Sequence, residues 1–177
     1  YEISACLVGS EMCIRDRKRD LKPVIKLQDE VNKTLLHDEY YYPTDERTIQ
    51  ECLDGDYILL GVYNKDKLIA ASFAFEGGLF FSKPITDWME IPGNKIMCHE
   101  FVVVDMEYRG NGIQKRFMDA TIREARQMGY DTIWCCAHPN NTPSVCSIES
   151  TGYKFADQFV VDGWPRNVYY RSTSIQR

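Results

Sequence analysis

The sequence predicts a single α/β domain in which a buried strand runs through a glycine loop into an amphipathic helix. Three observations carry that expectation. Residues 96–104 (IMCHEFVVV) are apolar nearly throughout, as a strand covered on both faces should be. Ile113, Phe117, Met118, Ile122, Ala125 and Met128 follow directly at helical spacing. The chain has 177 residues, 44% hydrophobic and 12% aromatic, which suffices for one core and excludes a disordered chain.

The elements follow in order. Residues 1–17 (YEISACLVGSEMCIRDR) show neither helical nor strand periodicity across their length and resemble a translated sequencing linker. The alternative is a strand over residues 1–8; the domain proper is expected over residues 18–177. Asp20 can cap a helix that places Leu21, Val24, Ile25, Val31 and Leu35 on one face, with Pro23 tolerated in its first turn. HDEYYYP (residues 37–43) interrupts it. Thr44, Asp45 and Glu46 open a short second helix that Gly55 ends. Residues 57–63 and 67–75 are rich in β-branched, aromatic and aliphatic side chains, and NKDK between them makes a hairpin. Residues 77–94 read as irregular. Gly129 closes the helix after the glycine loop, and residues 132–137 form another buried strand. Thr142 and Pro143 fit the cap and first position of a helix ended by Gly152. Strands over residues 153–161 and 168–171, around the turn DGWPRN, complete the chain.

Composition narrows the function. A net charge of −5 argues against nucleic acid, whose phosphates need a clustered basic face. No uninterrupted apolar run is long enough to span a bilayer. The seven cysteines (Cys6, Cys13, Cys52, Cys98, Cys135, Cys136 and Cys146) include no CxxC, and several lie in strand-like runs. They are expected to be reduced, mostly buried thiols of a cytoplasmic protein. With only three His, no metal-ligand spacing emerges.

The chemistry concentrates in Arg109-Gly110-Asn111-Gly112, between the buried strand and the amphipathic helix. Glycines let the backbone adopt positive φ and approach a ligand, and the helix start presents free N–H groups and partial positive charge. Such a loop suits a pyrophosphate, although a plain tight turn would read the same way. It is not a Walker loop, since no Gly-Lys-Ser/Thr follows, and it lacks the third glycine of the dinucleotide fingerprint.

RGNGIQ after a strand resembles the acyl-CoA pyrophosphate loop of the GNAT N-acetyltransferase superfamily, whose pattern is Gln/Arg-x-x-Gly-x-Gly/Ala. Arg109 and Gly112 match, while Gln114 stands where Gly or Ala is usual. PNNTPSVCSIESTGY resembles the family's second signature, with Asn141 and Gly152-Tyr153 as the matching residues. The order of elements agrees from about Asp20 to Arg171. The resemblance implies a mixed, mainly antiparallel sheet whose central strands splay apart, flanked by helices. The family's first strand would lie before Lys18, so the chain is expected to lack it.

The same resemblance implies acetyl-CoA as cosubstrate, with no metal, and an amine-bearing acceptor, in a monomer or homodimer. Pantetheine amides would pair with main-chain groups of Phe101, Val102, Val103 and Val104. The N–H groups from Arg109 through Gly110, Asn111, Gly112, Ile113 and Gln114 would hold the pyrophosphate; Asn141, with Ser144 beside it, would reach the pantetheine arm. An acceptor amine must arrive neutral, so a base takes its proton. Glu100, His99 and His138 are candidates. Neighbouring strand residues face opposite sides, so His99 and Glu100 cannot share one cleft wall, and the family's carboxylate favours Glu100. A merely solvated Glu100 and a loop-capping His138 are the plain alternatives. Tyr40, Tyr41, Tyr42 and Trp88 are candidate acceptor-binding residues, with packing as their other role. Cys135 and Cys136 read as core thiols, of which one at most faces the cleft. Where many family members carry a proton-donating Tyr, four residues before the Gly-Tyr pair, this chain has Ile148. The expected activity is acetyl transfer to an amine. A catalytically weak acyl-CoA sensor and an unrelated α/β nucleotide binder are the other readings.

Overall fold

A computed structural model describes residues 10–14, 21–53, 55–77, 79–80, 83–84 and 95–174. Its elements, in chain order, are β1 (Ser10–Ile14), α1 (Leu21–Lys33), α2 (Glu46–Cys52), β2 (Tyr57–Asn64), β3 (Lys67–Glu76), β4 (Leu79–Phe80), β5 (Lys83–Pro84), β6 (Ile96–Val104), α3 (Ile113–Gln127), β7 (Thr132–Ala137), α4 (Thr142–Ser150), β8 (Lys154–Val161) and β9 (Trp164–Ser172). Single 3₁₀ turns lie at Asp38–Tyr40 and Met106–Tyr108.

Among the described residues one seven-stranded sheet runs in the order β1-β2-β3-β6-β7-β9-β8. Every neighbouring pair is antiparallel except β6 and β7, which are parallel. That parallel pairing covers Ile96↔Thr132, Met97↔Ile133 and Cys98↔Trp134 and then stops, although both strands continue. The sheet therefore opens as a wedge at its centre.

Helices cover both faces. Leu21, Val24, Leu27 and Val31 of α1, with Ile49 of α2, pack on Leu59, Ala71, Phe73, Phe101 and Val103. Ile113, Phe117, Met118, Ile122 and Ala125 of α3 pack on the opposite face against Leu60, Ile69, Met97 and Ile133, with Val102 and Val104 at the margin. Each such large apolar side chain, fully buried, contributes about 1.5–3 kcal/mol. Both stripes are legible in the sequence, α1 through Leu21, Val24 and Val31 and α3 through Ile113, Phe117, Met118, Ile122 and Ala125.

The structure moves several boundaries. Segment 10–14, set aside by its lack of periodicity, pairs with β2 as an edge strand, Ser10↔Asn64 through Ile14↔Leu60. A first strand thus lies before Lys18; the alternative over residues 1–8, like the cap at Asp20, lies outside the described residues. Asp45, not Thr44, caps α2, its carboxylate accepting from Thr48 N–H. Asn141 rather than Thr142 caps α4, and β9 begins at Trp164 because Asp162 and Gly163 turn the chain with positive φ. No described helix is long and apolar enough to cross a membrane.

Candidate active site

A bulge in β6 sets the floor of the wedge. On β3, Phe73 faces Phe101 and Ala74 faces His99, so Glu100 has no residue opposite it. The extra residue re-aims the strand. Glu100 turns toward the α1 side, where Thr44 Oγ1 donates to its carboxylate at 2.9 Å and Cys98 Sγ lies at 3.7 Å. His99 turns to the α3 side, where its Nε2 sits 2.7 Å from Ser72 Oγ. The strand alternation expected from the sequence holds at this pair.

A cleft of about 620 Å³ passes through the gap between β6 and β7. Val31, Thr34, His37, Tyr40 and Tyr41 line it from the α1 side. Ile113, Gln114, Met118, Asn141, Ser144 and Ile148 line it from the side of α3 and α4. A cleft lined from both faces of the sheet can take two molecules that meet between β6 and β7.

At the α3 end the glycine loop forms a backbone cradle. Gly110 and Gly112 have φ of +78° and +69°, and Gly112 caps α3 without a side chain, leaving the first-turn N–H groups unclaimed by a cap. A Cβ on either glycine would meet nothing within 4 Å, so their backbone angles, not crowding, call for glycine. Arg109 lies back along β6, Nε donating to Val104 O at 3.2 Å. Gln114, the departure from the Gly/Ala pattern, donates its amide to Ser144 Oγ at 3.1 Å and ties α3 to the start of α4. Asn141 caps α4 through Ser144 N–H and donates to Tyr40 O at 3.4 Å, linking the two walls.

Electrostatics distinguish the two sides of the floor. Glu100 is open to the cleft but flanked by protein, and the lost hydration raises its pKa above the ordinary carboxylate value. The hydrogen bonds from Thr44 and Cys98 oppose that rise. His99 is 3% exposed, and burial lowers its pKa to about 4, so its imidazole is neutral at pH 7. Lost hydration also lifts the thiol of Cys136 to about 11, although its side chain is exposed. Buried Cys135 lines the cleft as well, so both cysteines reach it where one at most is expected from the sequence, because the cleft passes through the sheet and meets both of its faces.

Most of the predicted residues converge on this cleft: Glu100, Phe101 to Val104, Arg109, Gly110, Gly112, Ile113, Gln114, Asn141, Ser144, Tyr40 and Tyr41. Phe101 and Val103 put their side chains into the α1 core, so only their backbone is free to serve a ligand. Four expectations are corrected or displaced. His138 does not line the cleft; its ring packs between Tyr40 and Trp164, and its Nδ1 accepts from Asn140 N–H at 3.2 Å. Tyr42 is 64% exposed outside the cleft, near Asp162, which raises the pKa of its hydroxyl. Asn111 also lies outside it and uses its amide to brace the turn at Tyr108 O. Trp88 lies outside the described residues.

Three contributors escaped the sequence reading. Thr44 was read as a helix starter, yet it holds Glu100. Gln28, 1% exposed on the apolar face of α1, accepts from Tyr41 Oη and bonds both N–H and C=O of Thr44. A glutamine between Leu27 and Val31 is the signal that could have found it. Ser72 sits mid-strand with nothing local to mark it.

The sequence profile of the acetyltransferase (GNAT) family matches residues 25–153, spanning the wedge, the cradle and α4. The chain belongs to this family. Solved structures agree in fold. The ribosomal-protein-S18-alanine N-acetyltransferase from Escherichia coli superposes with a TM-score of 0.67 at 15% identity, over 95% of this chain and 96% of that one. NAA60 from Arabidopsis thaliana, in complex with a bisubstrate analogue, gives 0.67 at 13% identity, over 91% and 97%. The protein yncA from Salmonella typhimurium, with its cofactor acetyl-CoA, gives 0.64 at 16%, over 95% and 96%. Among curated proteins no sequence matches this chain. Within the GNAT fold, the wedge and cradle above occupy the centre of the sheet. Among the described residues, no group of three or more His, Cys, Asp or Glu could hold a metal ion.

Proposed function

We propose that the chain transfers an acetyl group from acetyl-CoA to an amine acceptor. The observation that carries this reading is a cleft through the sheet with an anion cradle at one end and a base at its floor. The residues suit the cosubstrate. The nest at Gly110 and Gly112 offers oriented N–H groups to a pyrophosphate, and β6 beyond Cys98 has backbone groups facing the wedge without a β7 partner. Pantetheine amides suit those groups. Asn141 and Ser144, joined to Gln114, form the far wall for the same arm. The acceptor enters from the α1 side between Tyr40, Tyr41 and His37 and meets Glu100.

Glu100 takes the proton of the attacking amine. Its raised pKa brings it closer to neutral pH, where a general base is most effective, and Thr44 keeps it aimed. His138 has no part in this chemistry, because its ring is packed away from the cleft and its Nδ1 is occupied. The test is release of CoA thiol over a panel of small amines and peptides bearing free N-termini. Acceptor-dependent release establishes transfer. CoA binding with no release on any amine would instead favour the sensor reading, which the proton-less Ile148 on the cleft wall would suit.

A further inference from the structure

His99 is a buried imidazole at the wedge that this chemistry leaves unused. Its Nε2 is held by Ser72, while its Nδ1 is buried with no hydrogen-bond partner among the described residues. A buried polar nitrogen without a partner is costly to a fold. On a side chain that lines a cleft, such an atom can be satisfied by a group of a bound ligand. The ring lines the cleft, next to the bulge and one residue past the last β6–β7 pair.

Its placement says what it meets. Glu100 and His99 are consecutive, but Glu100 faces the α1 side, where the acceptor enters, and His99 faces the α3 side, where the phosphates are cradled. A thioester lying in the gap is thus flanked by the base on its attacked side and by His99 on the side of its sulfur. We infer that His99 Nδ1–H donates a hydrogen bond to the CoA sulfur, and that Ser72 fixes the required tautomer by donating its hydroxyl to Nε2. This inference rests on the acyl-CoA reading of the cleft.

The step balances without a proton from His99. The amine nitrogen forms the C–N bond, the C–S bond breaks, and its electron pair stays on sulfur. The amine proton goes to Glu100. A neutral imidazole is far too weak an acid to protonate the thiolate, but it stabilises that charge as a fixed donor in a water-poor site. Ser72 is a positioning residue, acting only through the ring.

The test compares CoA with desulfo-CoA, in which hydrogen replaces the thiol, by calorimetry at about pH 8.5, the ordinary pKa of a thiol. Wild type is expected to bind CoA about tenfold more tightly, as befits a hydrogen bond to a partly charged sulfur. His99→Asn keeps an amide donor near the Nδ1 position and should retain the preference. His99→Gln places its amide toward Ser72, and the double variant Ser72→Ala/His99→Leu removes both partners; both should lose it. Desulfo-CoA affinity should stay within about twofold throughout, which also reports that each variant is folded. A preference that survives in the double variant, or that fails to separate Asn from Gln, overturns the role of His99. If wild type binds neither nucleotide, the acyl-CoA reading itself falls.

Discussion

The two edges of β6 behave differently. Toward β3 the strand is paired from Met97 to Val104, interrupted only by the bulge at Glu100. Toward β7 it is paired over Ile96–Cys98 alone. Side-chain burial differs less, because helices cover both faces beyond the point of divergence. The contrast lies in the backbone. Buried N–H and C=O groups are almost always paired, so an opened edge in the middle of a sheet calls for a partner of similar hydrogen-bonding character. The closed edge builds the fold, and the open edge is where a ligand acts as the absent strand.

The largest expected effect breaks the open edge at its mouth. Gly112→Asp adds a negative charge where N–H groups are gathered and forces a side chain onto φ of +69°. CoA affinity should fall by more than about a hundredfold by calorimetry, or over roughly 2.7 kcal/mol. Gly112→Ala separates the two causes. Open space surrounds a Cβ there, so only the backbone strain of about 1 kcal/mol applies, and affinity should drop by less than about tenfold. Equal losses in both variants would mean that charge at the cradle is immaterial.

The next effect acts at the floor, where the bulge re-aims the strand. Glu100→Gln should lower kcat by about a hundredfold while the Kd for CoA changes by less than about threefold, since Glu100 faces the acceptor side. The pH profile sharpens this. The active form is the carboxylate, so rate falls as pH drops through the Glu100 pKa, and burial sets that limb above the ordinary Glu range. Thr44→Val removes a hydrogen bond that favours the charged form and should move the acid limb to still higher pH. A limb that moves down or stays put would detach Thr44 from the base.

How far the sequence reveals this site follows the range of each interaction. The strand, glycine loop and helix from Ile96 to Gln127 are contiguous, so periodicity and positive-φ glycines expose them, and the cradle with them. The Thr44–Glu100 bond spans 56 residues and the Ser72–His99 pair spans 27; no local pattern reports either. The bulge is equally silent, because it is a fact of register against β3. His138 and Tyr42 show the converse error. Each lies beside cleft residues in the chain, but the aromatic stack around His138 and the Asp162 contact of Tyr42 turn them elsewhere. Segment 10–14 joins the sheet through pairing with β2, which composition alone could not disclose.

The smallest effect concerns Gln114, the residue that departs from the Gly/Ala pattern. A side chain there could obstruct a phosphate, donate to it, or do neither. The structure engages its amide with Ser144 Oγ at 3.1 Å, so its work is between helices. Ser144 is itself tied to Asn141 at the cap of α4, which makes Gln114 a strut holding the cradle at a fixed distance from the far wall. Loss of one neutral, partly buried hydrogen bond costs about 0.5–1.5 kcal/mol. Gln114→Ala should therefore weaken CoA binding by less than about tenfold and lower thermal stability slightly, while Ser144→Ala should do the same and the double variant little more. Non-additivity of that kind marks a shared bond. If Gln114→Ala instead tightens CoA binding by about a hundredfold, the side chain obstructs the cradle and the strut does not exist.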